Sequence, residues 1–240
     1  MTKPKMILFD YGQTLGNEEK FNGIKGTAAV MEHAVENERG LTPEEVQAEA
    51  EAINTELGRF DPAKRSTHTV EIPNHMFTAY LYESVGVKID LTAPEIDRVF
   101  WNAASPAKPS DGIEEFLEFL NAEGIRTAVL SNITYNPEVV KERINTILPD
   151  NRFEFIIATS EYLFRKPHKR IFDFALMKAG LKPEEVWYVG DNYVCDVEGA
   201  RNAGMTPIWY KGAVDFAQDY HDDVTTIYSW KELREIIEKL

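Results

Sequence analysis

Short unbroken apolar runs alternate with amphipathic stretches along much of the chain. The first run, Met6 to Phe9, has the texture of a strand buried on both faces, and Asp10 stands at its carboxyl end. After Gly16 the pattern changes: from about Phe21 to about Ala104 the periodicity is helical and little resembles a strand. Thr42-Pro43-Glu44-Glu45 joins an N-cap, a proline at the first helical position and a glutamate placed for a capping box, and Thr92-Ala93-Pro94-Glu95 repeats the device. Gly40 and Gly86 fall where helix C-termini need a left-handed residue. Pro106 to Pro109 reads as a return linker.

From Asp111 onward strands and helices alternate. A helix ending near Gly124 precedes the run Ile125 to Leu130, and a helix after Pro137 precedes Phe153 to Ala158. A helix from His168 to Ala179 leads to Val186 to Val189; a helix from Asp196 to Ala203 leads to Met205 to Trp209. Thr225 to Tyr228 is a last strand, and Ser229 with Glu232 caps a C-terminal helix. Such alternation implies right-handed crossovers and a parallel sheet covered on both faces. The expected fold class is therefore α/β: a Rossmann-like parallel-sheet core formed by residues 1–16 and 106–240, with an inserted all-helical cap at 17–105.

Composition narrows the partners. The 240 residues carry 26 Lys and Arg against 40 Asp and Glu, a net charge of −14, which disfavours nucleic acid and anionic membrane surfaces as general partners. An anionic small substrate remains compatible where local Lys residues, backbone N–H groups or a cation reverse the sign. One cysteine, Cys195, precludes an internal disulfide, and no apolar run approaches the ~20 residues of a membrane span. With no signal-peptide core ahead of Asp10, the expected location is the cytoplasm.

In a parallel sheet ligands bind beyond the carboxyl ends of the strands. Four such ends deliver Asp10, Ser131 with Asn132, the segment before Lys166, and Asp191 with Asp196 to one rim. Singly, each is an ordinary N-cap, turn former or solvated charge. Together they suit phosphoryl transfer, because a carboxylate attacks phosphorus only once anionic repulsion is cancelled. Mg²⁺ prefers hard oxygen ligands, and the carboxylates of Asp10 and Asp191 plus a backbone carbonyl suit it.

This set resembles the haloacid dehalogenase superfamily. Its first motif is matched by Ile7-Leu8-Phe9-Asp10-Tyr11-Gly12-Gln13-Thr14-Leu15 and its second by Val129-Leu130-Ser131-Asn132. Arg165-Lys166-Pro167 matches the third and Val189-Gly190-Asp191-Asn192-Tyr193-Val194-Cys195-Asp196 the fourth, with the helical insert between the first and second. The resemblance implies a Mg²⁺-dependent phosphatase acting on a small phosphorylated metabolite through an aspartyl-phosphate on Asp10. It assigns the metal to Asp10, the Gly12 carbonyl, Asp191 and, through water or by orienting a ligand, Asp196. Lys166 would neutralise charge, and Ser131, Asn132 and Lys166 would bind the phosphoryl group.

One position departs from the pattern. Superfamily phosphatases carry a second aspartate two residues after the nucleophile, and here that residue is Gly12. Three readings follow: a phosphatase using good leaving groups or an acid from Glu18, Glu19 or the cap; a carbon–halogen or phosphonate hydrolase; or a non-catalytic sensor that binds a phosphorylated metabolite. The acidic pair Asp191 and Asp196 argues for a metal and against dehalogenation. A phosphonate hydrolase would need a cap lysine, for which Lys20, Lys25, Lys64 and Lys88 are available. Arg59, Arg65, His68, His75 and Tyr80 are candidates to line the pocket from the cap, while Cys195 reads as a small residue beside the metal loop.

Overall fold

A computed structural model describes residues 1–59, 61–64, 67–213 and 221–240. In chain order the main elements are β1 (Met6–Phe9), β2 (Gly16–Glu18), α1 (Gly23–Met31), β3 (Ala34–Asn37), α2 (Pro43–Leu57), α3 (Asn74–Val85), β4 (Val87–Ile89) and α4 (Ala93–Ala104). There follow β5 (Ala107–Pro109), α5 (Ile113–Ala122), β6 (Arg126–Ser131), α6 (Pro137–Ile147), β7 (Ile156–Ala158), α7 (Lys169–Ala179) and β8 (Val186–Gly190). A π-helical turn (Tyr193–Glu198) runs into α8 (Gly199–Asn202), and β9 (Thr206–Tyr210), β10 (Thr225–Ile227) and α9 (Trp230–Glu238) complete the chain.

Six strands form one parallel sheet in the order β10-β9-β8-β1-β6-β7. The wholly buried run Met6–Phe9 places β1 in the middle, where alternate side chains enter opposite apolar layers. Ile7 and Phe9 pack with Phe116, Ile144 and Trp230 from α5, α6 and α9; Met6 and Leu8 pack with Ile171, Phe172 and Ala175 from α7. The chain moves from β1 outward through β6 and β7, then crosses back to β8 on the other side of β1. The carboxyl ends of β1 and β8 therefore flank the reversal of strand order, the crevice where open parallel sheets bind ligands.

The segment between β2 and β5 has an apolar cluster of its own, centred on Val30, Val46, Leu81, Val85 and Ile96 from α1–α4. Thr42 and Glu45 form the expected capping box, and Gly86 closes α3 at φ 70°. Gly40 is also left-handed but lies in the turn after β3 rather than at a helix end.

Two short antiparallel ladders add to the helical pattern: β3 with β4 inside the insert, and β2 with β5 where the two connections run side by side. Strands of three or four residues with mixed burial leave no periodicity to read. The expected helix from Asp196 begins earlier, as the π-helical turn capped by the Asn192 side chain. No described helix is long and apolar enough to cross a membrane.

Candidate active site

Asp10 leaves β1 at the crevice, and its backbone N–H is held by the Val189 carbonyl of β8. Ser131, at the end of β6, donates a hydrogen bond to Asp10 Oδ1 at 2.5 Å. The Lys166 ammonium lies 3.0 Å from the same oxygen, 2.5 Å from Asp196 Oδ1 and 2.7 Å from the Tyr188 hydroxyl. The buried ammonium thus hydrogen-bonds Asp196 and Tyr188 and forms an ion pair with Asp10. Tyr188 in turn donates to the Leu130 carbonyl at 2.6 Å, which leaves its oxygen facing Lys166 as an acceptor.

Burial by itself would lower the Lys166 pKa, but the charges of Asp10 and Asp196 outweigh it and raise it, so the ammonium keeps its charge. Asn132 fixes the backbone of this lysine: its amide donates to the Lys166 carbonyl at 2.9 Å and accepts the Lys166 N–H at 2.8 Å. Both ends of the Asn132 side chain are therefore engaged by the loop that presents the ammonium.

Asp191 follows β8, with the Trp209 indole donating to its carbonyl at 2.8 Å. Asp196 comes back beneath it from the π-helical turn and accepts the Asn192 N–H at 2.8 Å. Gly190 permits that return, since a Cβ there would overlap the Asp196 carboxylate. Desolvation, reinforced by the charges of Asp196 and Asp10, pushes the Asp191 pKa well up; desolvation raises Asp196 to about 6 against the pull of Lys166.

Among the described residues, Asp10, Asp191 and Asp196 each offer a carboxylate oxygen within 4.8 Å of the others. Mg²⁺ takes hard oxygen ligands, and this set of clustered carboxylates is of that chemical kind. Both oxygens of Asp196 already meet protein donors, Lys166 and the Asn192 N–H.

Two cavities meet at Asp10 and Asn132. The smaller, about 240 Å³, is walled by Lys166, Asp191, Asn192, Cys195 and Arg165 of the core and by Gly58, Asp61 and His68 of the insert. The larger, about 800 Å³, reaches under the insert among Phe21, Phe77, Tyr82, Phe100, Trp101 and Tyr135. Of the expected cap residues, Arg59 faces the larger cavity and His68 the smaller, Tyr80 is 62% exposed, His75 lies in a separate surface hollow, and Arg65 lies outside the described residues. Lys20 borders the larger cavity, Lys25 is exposed on α1, Lys64 lies exposed 3.8 Å from Asp61, and Lys88 pairs with Glu36 on the surface. Burial pushes the Cys195 thiol up to about 11, away from the thiolate a nucleophile needs.

Sequence reasoning did not reach Tyr188, which reads as one more apolar strand residue, nor Arg143 of α6. The Arg143 guanidinium donates to the Tyr11 hydroxyl at 2.8 Å and Asn102 at 3.0 Å, bonds the Ser105 carbonyl, and lies over the Trp101 ring. Glu18 joins this knot: Oε1 accepts from the Trp101 indole at 3.0 Å and lies 3.4 Å from Arg143. Burial raises the Glu18 pKa, opposed by Arg143 and the Trp101 hydrogen bond and reinforced by the Asp10 charge. A polar residue in an amphipathic helix carries no sign that it will reach across to a linker strand.

A doubly covered parallel sheet with a carboxylate, an ammonium and an acidic cluster at its strand-order reversal defines an α/β protein whose polar groups gather at the crevice. The haloacid dehalogenase-like hydrolase family matches residues 4–204, and the chain belongs to that family.

Glyceraldehyde 3-phosphate phosphatase of Pyrococcus furiosus is 35% identical over 100 residues, 42% of this chain and 41% of that protein. Phosphoserine phosphatase of Thermus thermophilus is 34% identical over 96 residues, 40% of this chain and 38% of that protein. The match thus spans less than half the length of either relative. The fold is shared along nearly the whole chain with a HAD phosphatase from Thermococcus onnurineus (TM-score 0.63, 19% identity, 97% of both chains). It is shared equally with a 2-haloacid dehalogenase from Pseudomonas syringae pv. Tomato DC3000 (TM-score 0.64, 20% identity, 98% and 99% of the chains).

Proposed function

We propose that the protein is a Mg²⁺-dependent phosphatase that transfers the phosphoryl group of a small phosphate ester to Asp10 and then to water. The observation that carries the reading is the convergence of Ser131, Lys166 and the Asp191 carboxylate on the Asp10 carboxylate. Bound at Asp10 and Asp191, with the Gly12 carbonyl as a further ligand, Mg²⁺ would cancel the repulsion between the attacking carboxylate and the phosphoryl oxygens.

The chain's own groups do the rest. Lys166 and Ser131 orient the Asp10 carboxylate and offer a positive charge and a hydroxyl to the phosphoryl oxygens. Asn132 and Tyr188 hold Lys166 in place, and Asp196 balances its charge. The polar cavity suits the phosphoryl group and the larger, aromatic-walled cavity the remainder of the ester. The 35% and 34% identities to two phosphatases support this class of reaction. Three clustered carboxylates weigh against halide displacement, which gives a cation site no task.

Phosphate release from a panel of sugar, amino-acid and three-carbon phosphates, with and without Mg²⁺, tests the reading. The expected result is metal-dependent turnover that falls roughly 10⁴-fold or more in Asp10→Asn, the scale of losing a nucleophile. Turnover that survives Asp10→Asn, or tight ester binding with no release by the unaltered protein, would contradict it.

A further inference from the structure

Departure of an alkoxide from phosphorus demands a proton, and positioned acid–base groups are worth roughly 10²- to 10⁴-fold. Gly12 has no side chain to give one, and the Lys166 ammonium is already held by Asp10, Asp196 and Tyr188. Besides Asp10, the described carboxyl groups bordering the larger cavity are Glu18, Glu19 and Glu51. Glu19 and Glu51 are exposed, whereas the Glu18 side chain is 19% exposed and anchored.

The chain directs Glu18 back to residue 12, two positions after Asp10. After Asp10 it turns at Gln13, which adopts the left-handed φ of 52°, and Gly12 bridges to Gly16 at the start of β2. The Gln13 amide donates to the Glu18 carbonyl at 3.0 Å, tying the return. As a result Glu18 Oε2 lies 3.3 Å from where a Cβ on residue 12 would stand. An aspartate carboxylate oxygen lies about 2.4 Å from its own Cβ, so the Glu18 oxygen is within about an ångström of the shell that a residue-12 carboxylate would occupy. Trp101 from the insert and Arg143 from the core hold Oε1, which leaves Oε2 as the oxygen turned toward Gly12.

We infer that Glu18 is the general acid and base of the reaction, acting from the linker strand in place of a side chain on residue 12; the inference rests on the phosphoryl-transfer reading above. In the first step the Asp10 carboxylate forms a bond to phosphorus, the bond to the ester oxygen breaks, and that oxygen takes the proton from Glu18 Oε2 to leave as an alcohol. In the second, water attacks the phosphorus of the aspartyl-phosphate and gives its proton to the Glu18 carboxylate. Phosphate leaves, and Asp10 and protonated Glu18 are restored. Because Trp101 belongs to the insert, its seating on the core places the acid as well as closing the cavity.

The test is Glu18→Gln, which keeps the Oε1 acceptor, assayed against alkyl phosphates and an activated aryl phosphate by stopped-flow as well as steady state. Loss of kcat/KM should be about 10²- to 10⁴-fold for the alkyl esters and under ~10-fold for the aryl ester, which needs no proton on its leaving group. The aryl ester should show a stoichiometric burst of released phenol followed by slow turnover, because the second step still lacks its base. The double variant Gly12→Asp/Glu18→Ala relocates the carboxyl and should recover alkyl-phosphate turnover at least tenfold over Glu18→Ala. Equal losses across all leaving groups, or no recovery in the double variant, would overturn the assignment while leaving the phosphatase reading intact. Absence of Asp10-dependent turnover in the unaltered protein would overturn both.

Discussion

The two cavities that meet at Asp10 are built in different ways. The smaller is polar and mostly assembled from strand ends, so its geometry follows from the register of β1, β6 and β8, which the core fixes from both faces. The larger is walled by aromatic rings from α3, α4 and the loop after β6, and its shape depends on how the insert rests on the core. On the phosphatase reading, reaction chemistry is thereby tied to the most buried part of the molecule and substrate choice to a separately packed segment. One can vary while the other stays fixed.

The comparison breaks first at Lys166. Replacing this buried ammonium by Met leaves Asp10 and Asp196 uncompensated, so Lys166→Met should cost roughly 3–5 kcal/mol in urea unfolding, the scale of breaking a buried pair. Turnover should fall about 10²- to 10³-fold, the scale of losing a charge-stabilising donor. Adding Asp196→Asn should recover part of the stability and none of the turnover, which separates the two roles. Full recovery of both would make Lys166 a structural counter-ion.

A smaller effect is expected at Asp191, whose carboxylate is destabilised by burial and by its like-charged neighbours. Asp191→Asn should raise the metal-free Tm by ~2–4 °C for each kcal/mol of repulsion relieved, and abolish the further rise that Mg²⁺ gives the unaltered protein. Differential scanning fluorimetry with a Mg²⁺ titration measures both; a Mg²⁺ shift that survives the substitution would place the cation elsewhere. The smallest effect belongs to the insert. Phe77→Ala, on the wall of the larger cavity, should raise KM about tenfold at nearly constant kcat, since an apolar wall contributes to binding before and during reaction alike. A kcat loss of the same size would tie the insert to the chemical step.

The same contrast decides what was legible in the sequence. Met6 to Phe9, the run ending at Ser131 and Val186 to Val189 are short buried strands whose apolar continuity is visible in one dimension, and the acids, hydroxyl and lysine that follow them fall together. The capping box at Thr42 is equally local and stands where the spacing puts it, whereas at Ser229 only the N-cap half forms, because the Glu232 carboxylate accepts from the Tyr228 N–H instead of the Ser229 N–H. The Glu18, Trp101 and Arg143 knot was not legible, because its members come from a linker, the insert and α6, and they meet only through tertiary packing. Tyr188 was hidden for a related reason: in an apolar strand, its hydroxyl declares no purpose until Lys166 is seen beside it.

The central claim is that Asp10 itself carries the phosphoryl group, and acid-quench mass spectrometry during turnover tests it most directly. With Mg²⁺ and a substrate found by the phosphate-release screen, a phosphoryl adduct should appear on the peptide containing Asp10, disappear in Asp10→Asn, and accumulate in Glu18→Gln. An adduct on another residue, or turnover under the same quench with none at Asp10, would contradict the account.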